Sequence, residues 1–84
     1  MWCVYMIKSA QKNWYYIGST DSLTRRLSEH NKGRVISTKR YIPLKLVFLK
    51  ELKTEKEARE YEKRLKKRRK EKEELIRKIE NKNL

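Results

Sequence analysis

The stretch from Cys3 to Thr20, CVYMIKSAQKNWYYIGST, places three phenols, Tyr5, Tyr15 and Tyr16, in two short apolar runs separated by KSAQKN. Shortly afterwards Arg26 and His30 stand four apart, the spacing that puts two side chains on one face of a helix. Much later Glu62 sits beside Tyr61 and one turn after Ala58, on the edge of an apolar stripe. A guanidinium matches phosphate oxygens in a two-point fork. A lone carboxylate pointing into a cleft, with waters, favours magnesium or manganese over zinc. Phosphoryl transfer needs charge stabilisation more than covalent help. A phenol is ordinarily a poor base at neutral pH and becomes useful only in an electropositive site. Each residue also has a plainer use. Strand tyrosines pack, a single helix histidine can simply hydrogen-bond, and most of the eight acidic residues after position 52 suit i,i+4 pairs with Lys or Arg.

Elements must position these groups. Residues 2–7 and 14–17 are β-favouring, and the polar segment between them predicts a hairpin with a medium loop. Tyr15 then alternates to the opposite face from Tyr16 and packs. A helix is expected over about 22–32, capped by Asp21 or a neighbouring Ser or Thr, with Leu23 and Leu27 inward and Gly33 as its stop. Arg25 falls about 100° round this helix from Arg26 and reads as solvated. Residues 33–43 read as a loop closed by Pro43. LKLVFLKEL follows as a third strand, with Leu44, Leu46 and Phe48 on one face and Val47 and Leu49 on the other, which predicts a central strand or one covered on both sides. Thr54 and Glu57 fit a capping box, and Ala58, Tyr61 and Leu65 form a helical stripe. Leu75, Ile76 and Ile79 make a further apolar face; one long helix and two helices broken near 67–70 both fit. The order β-β-α-β-α-(α) makes an α+β fold, a small three-stranded antiparallel-type sheet with helices packed on it. We expect one domain over 1–84, with a core of about 2–66 and a basic helical extension at 67–84.

Charge narrows the partner. The 84 residues carry 24 basic and 11 acidic side chains, a net +13. Residues 1–52 hold ten basic side chains against Asp21, Glu29 and Glu51, or +7, and the rest of the chain adds +6. Such an excess is best tolerated beside a polyanion, and nucleic acid is the expected partner rather than a membrane. No apolar run approaches the roughly 20 residues of a spanning helix. The single cysteine, Cys3, cannot form an internal disulfide or a multi-cysteine zinc site and reads as a buried hydrophobe; a cytoplasmic setting fits. The run KRLKKRRK supplies Lys63, Lys66, Lys67, Arg68, Arg69 and Lys70, and the 33–43 loop supplies Lys39 and Arg40. These suit phosphate-backbone contact, which carries no sequence information.

Taken together, Cys3-Val4-Tyr5, then Tyr16-Ile17-Gly18, then Arg26 in the next helix resemble the GIY-YIG nuclease superfamily, with Cys3 where the motif name has glycine. The further pattern Leu23, Arg26, Leu27, His30, Asn31, Gly33, Thr38, Pro43, Leu46, Val47 and the acidic EAREYE is most similar to its small stand-alone bacterial members, the UPF0213-type. The resemblance covers about residues 2–66. It implies a metal-dependent endonuclease that hydrolyses phosphodiester bonds in DNA, directed by structure or damage, with Mg2+ or Mn2+ as cofactor. By the same resemblance Tyr16 helps deprotonate the attacking water or relays its proton, Tyr5 orients water or phosphate, and Arg26 binds the scissile phosphate. His30 takes the next-turn position, Glu62 is the metal ligand, and Gly18 lets backbone or phosphate approach closely. Many repair members carry an asparagine after the acidic helix, and only Asn81 and Asn83, too far along, are on offer here. That keeps open an alternative, a nucleic-acid-binding module with the nuclease fold and no catalysis. Nothing in the sequence separates DNA from RNA or specifies an oligomeric state or a partner protein.

Overall fold

The first strand, β1 (Trp2–Ser9), is buried along most of its length because both of its faces are covered. In this computed structural model, which describes residues 1–82, it pairs antiparallel with β2 (Tyr15–Thr20) on one side and β3 (Leu44–Leu52) on the other, giving the order β2-β1-β3. Three helices complete an α+β architecture: α1 (Leu23–Asn31), α2 (Glu55–Lys67) and α3 (Arg69–Lys82). Residues 83 and 84 lie outside the described part.

The alternation of β1 sorts its side chains to two cores. Val4 and Met6 point to one face and join Ile17, with Ala58 and Leu65 of α2 and Ile79 of α3. Tyr5 and Ile7 point to the other and join Leu44, flanked by Trp14, Tyr16, Leu23 and Leu27. Tyr15 and Tyr16 fall on opposite faces, as strand periodicity requires.

Of the two placements open to the third strand, the structure takes the covered one: β3 is an edge strand, and β1 is the central one. The apolar composition of β3 reflects cover on both faces rather than two strand neighbours. Its register also shifts between Met6 and Ile7: Met6 faces Phe48 while Ile7 faces Leu46, leaving Val47 as the extra residue of a bulge. Phe48 therefore turns to the face of Val47, against α2 and α3, instead of following Leu44 and Leu46.

Helix ends follow local chemistry in two cases of three. Thr54 Oγ1 accepts from the Glu57 N–H (3.2 Å), which fixes the start of α2. Gly33 takes φ +76°, the left-handed turn that glycine tolerates after a helix. The start of α1 differs from expectation. Ser22 holds the cap position without a side-chain cap bond, and Asp21 instead lies 3.7 Å from Arg25. Helices α2 and α3 are separate, parted at Arg68, whose φ −93° and ψ 88° leave the helical region. The break lets α3 fold back so that Ile79 reaches the core (8% exposed).

Asn31, at the end of α1, clamps the other side of the sheet. Its Nδ2 donates to the Leu44 carbonyl (3.0 Å) and its Oδ1 accepts from the Leu44 N–H (2.7 Å). These two bonds hold α1 against the start of β3, and with it the face that carries Arg26 and His30.

Candidate active site

Strand β2 is the outer strand beside which the first strand's Tyr5 lies, and its open edge carries a cleft of about 340 Å³. Tyr5, Tyr16 and Gly18 line it from the sheet, Arg26 from α1, and Glu62 from α2. Helix α1 covers one face of the sheet and α2 the other, so the cleft forms where the two reach past the edge of β2.

Tyr5 and Gly18 are direct cross-strand partners. A Cβ built on Gly18 would collide with the Tyr5 hydroxyl and lie 2.6 Å from its Cζ. The close approach that glycine permits here is taken up by the Tyr5 phenol. The phenol is 1% exposed, and its hydroxyl lies 2.9 Å from His30 Nε2. Burial pushes its pKa up to about 12, only partly offset by the Arg26 guanidinium beside it. Tyr5 therefore stays protonated throughout the neutral range.

His30 is wholly buried rather than lining the cleft. Its second nitrogen, Nδ1, lies 2.8 Å from Thr38 Oγ1, and the Thr38 hydroxyl reaches the Val35 carbonyl at 3.4 Å. Burial, and then the nearby Arg26 charge, lower its pKa below the usual value. A neutral imidazole that satisfies both nitrogens avoids the roughly 1–3 kcal/mol cost of a buried unpaired polar group. Since the Thr38 proton points to Val35, Nδ1–H donates to Thr38 and Nε2 accepts from the Tyr5 hydroxyl. Tyr16 stands edge-on to the same imidazole (ring centroids 5.3 Å) and 6.5 Å from the Tyr5 ring.

Arg26 is about one-third exposed and bonds Glu29 Oε1 at 3.2 Å. Burial works against its charge, but the Tyr5 and Glu29 partners outweigh it and hold the guanidinium charged. It thus remains a cation with donors free to turn toward an incoming anion.

Glu62 is the carboxylate that α2 brings to β2, 43 residues away in sequence from its partner Ser19. Ser19 Oγ donates to its Oε1 (2.5 Å), and Lys66 Nζ donates to its Oε2 (2.7 Å). Lys66 Nζ also lies 5.8 Å from the centre of the Tyr16 ring. Arg59 reaches the cleft wall from the preceding turn, beside its pair with Glu55 (2.7 Å). A second groove of about 780 Å³ along α2 shares Arg59 and Glu62 with the cleft and continues it past Lys56 and Lys63.

Among the described residues no three His, Cys, Asp or Glu side chains group as a metal cage. Of the carboxylates lining the cleft, Glu62 is one that could hold a divalent cation, with water and substrate oxygens completing the shell.

The site thus brings together Tyr5, Tyr16, Gly18, Arg26, His30 and Glu62. Of the basic residues proposed from sequence, Lys66 meets Glu62 and Lys63 lines the groove that continues the cleft; the others lie elsewhere. Lys39 and Arg40 are exposed in a short 3-10 turn (Lys39–Tyr41). Arg68 and Arg69 are exposed at the α2–α3 junction and pair with Glu71 and Glu73. Lys63, Lys67 and Lys70 are exposed and form no ion pair among the described residues. Sequence reasoning missed Ser19, Arg59 and the full role of Thr38. Arg59 carried a signal, since it precedes Glu62 by three on one helix face; Thr38 stood in the resemblance pattern without its partner, and Ser19 carried none, because its partner is tertiary.

Among the described residues no helix is long and apolar enough to cross a membrane. Comparison with curated proteins and with solved structures found no match to the chain. A family model described as the GIY-YIG catalytic domain matches residues 1–75, which hold both tyrosine strands, Arg26 and Glu62. With that match and the cleft geometry together, the chain belongs to the GIY-YIG catalytic domain family, a family of endonucleases.

Proposed function

We propose that this protein is an endonuclease that hydrolyses phosphodiester bonds in DNA with the help of a divalent cation. The observation that carries the reading is the convergence of Arg26 and Glu62, from helices on opposite faces of the sheet, on the one cleft that Tyr5 and Tyr16 line. Arg26 takes a non-bridging oxygen pair of the scissile phosphate, a geometry suited to its fork. Its charge then grows more favourable as negative charge builds in the transition state. Tyr5, protonated and donating to His30, keeps its oxygen lone pairs toward Arg26 and the cleft; it orients rather than accepts a proton. Tyr16, partly exposed beside the cleft, is the group placed to relay the proton of the attacking water, its oxygen accepting that proton as its own O–H proton passes on to solvent. The water oxygen bonds to phosphorus, the ester P–O bond breaks, and a proton passes to the leaving oxygen. Glu62 would hold the cation, with Mg2+ or Mn2+ suiting its single carboxylate, and the cation would supply Lewis-acid stabilisation at the phosphate.

A second reading, a nucleic-acid-binding module without catalysis, is favoured by one observation. Both Glu62 oxygens are already engaged, by Ser19 and Lys66. An exposed i,i+4 pair such as Glu62–Lys66 is worth only about 0.3–0.5 kcal/mol, so a cation displaces Lys66 readily and the nuclease reading stands ahead.

The test is cleavage of labelled branched, nicked, single-stranded and duplex DNAs with Mg2+ or Mn2+, for wild type, Tyr16→Phe and Glu62→Gln, beside binding measured in EDTA. We expect cleavage to fall by about a hundredfold or more in each variant, with binding in EDTA retained. Binding without metal-dependent cleavage in the wild type would establish the second reading instead.

A further inference from the structure

Beside the cleft runs a row of aromatic rings that the hydrolytic roles leave unused. Trp14 and Tyr41 stack almost parallel, 3.7 Å between ring centroids and 6° between planes. Trp14 is in turn stacked toward Tyr16, at 6.2 Å and 26°. The row therefore begins at Tyr16, a wall of the cleft, and leads away from it along the surface. Trp14, Tyr16 and Tyr41 are each only partly buried. Lys12 Nζ lies over the Tyr41 ring, 5.6 Å from its centroid.

The row is held rigidly. Ser9 Oγ accepts from the Gln11 and Lys12 N–H groups, and Ser9 N–H donates to the Trp14 carbonyl. The Ala10 N–H donates to the Pro43 carbonyl, tying the hairpin loop to the start of β3. Tyr41 N–H donates to the carbonyl of Thr38, the residue whose hydroxyl faces His30. The aromatic row and the Tyr5–His30 centre are thus parts of one bonded unit.

Charge says what such a surface meets. Residues 8–14 and 32–45, which carry Trp14 and Tyr41, hold Lys8, Lys12, Lys32, Arg34, Lys39, Arg40 and Lys45 and no acidic residue. Stacked aromatics set among unopposed cations suit a strand whose bases are free to stack while its phosphates meet lysine and arginine. A paired duplex keeps its base faces inside the helix and can offer such rings only its edges and backbone.

We propose that the outer face of Tyr41, backed by Trp14, forms a stacking platform for an unpaired base of the DNA strand that enters the cleft, so that the substrate is single-stranded or carries unpaired nucleotides next to the cut. This deepens the nuclease reading and rests on it for the cut, but the binding it describes stands apart from cleavage. On binding, a base takes aromatic surface now shared with Lys12, and the flexible lysine turns to a phosphate. If the aromatics served packing alone, they would matter equally for every nucleic acid.

The test is binding in EDTA, which removes cleavage from the measurement. A twelve-nucleotide oligo-dT and a twelve-base-pair duplex are titrated into the Trp2→Phe protein, where Trp14 is the remaining indole. Stacking on Tyr41, whose ring lies 3.7 Å from the indole, predicts a change in Trp14 emission with oligo-dT and little with the duplex. Tyr41→Ala should weaken oligo-dT binding by roughly tenfold or more, with duplex binding changed less than twofold. Trp14→Phe, which keeps a ring, should retain most of the preference and guards against a variant that fails to fold. Equal affinity of the wild type for the two DNAs, or equal weakening of both by Tyr41→Ala, would overturn the platform. The nuclease reading fails separately, by absence of metal-dependent cleavage in the panel described above.

Discussion

The Tyr5 phenol illustrates how one residue constrains three others. It lies over Gly18, meets His30 and stands beside Arg26. Gly18→Ala should destabilise the fold by about 1–3 kcal/mol, the usual cost of overpacking a tight core. In a Tyr5→Ala background the same change should cost far less, because the atoms it meets are gone; a double-mutant cycle from urea unfolding measures this. His30 gives a pH signature. Its folded pKa is depressed, so the unfolded state takes up a proton that the folded state resists. The stability contributed by neutral His30 is present above the unfolded value of about 6.5 and is lost as pH falls from there through the folded value. Wild type should therefore lose stability between about pH 7.5 and 5 by more than His30→Gln does, as urea midpoints would show. Tyr5 acts at the other end: its pKa is raised to about 12, so its contribution holds below about 10 and falls away as pH climbs through 12.

At the scale of elements, the central strand and the folded-back third helix decide stability. Helix α3 contributes Ile79 to the same core as Val4 and Met6. Ile79→Ala should cost about 2–5 kcal/mol, the range for a large-to-small change at a buried aliphatic site, and the thermal midpoint should fall accordingly. The Asn31 clamp is a different kind of joint. Asn31→Leu would leave the Leu44 N–H and carbonyl without their partner side chain. The expected loss is about 1–3 kcal/mol in stability, with a further drop in cleavage because α1 carries Arg26. The α2–α3 break was open in sequence for a plain reason. KRLKKRRK contains no glycine or proline, and its helix-favouring residues fit a continuous helix as well as a broken one. Packing of Ile79 back onto the core selects the break.

For the whole molecule, +13 charges on 84 residues make phosphate contact the largest contribution to binding. Affinity for DNA should fall steeply with salt, with a slope of about −0.9 for each phosphate neutralised. Lys63, Lys67 and Lys70, exposed and free of ion pairs among the described residues, are the side chains to change together. If each meets a phosphate, replacing the three with alanine should reduce that slope by roughly 2–3 and weaken binding to all sequences alike. Arg68 and Arg69 should matter less, since Glu71 and Glu73 already share their charge.

The sequence by itself determined what depends on near neighbours: the two tyrosine strands with Tyr15 and Tyr16 on opposite faces, the α1 register that puts Arg26 and His30 on one side, the Thr54 start of α2 and the Gly33 stop. The resemblance to the GIY-YIG family marked Tyr5, Tyr16, Arg26 and Glu62, and the fold brings all four to one cleft. Only the tertiary structure decided which strand is central, the bulge at Val47 that turns Phe48 to the other core, and the bonds of Ser19 to Glu62 and of His30 to Tyr5 and Thr38. The bonds among them join residues 8 to 43 apart in the chain. Strand and helix periodicity orient a side chain relative to its own element, and leave its partner on another element to be selected by packing.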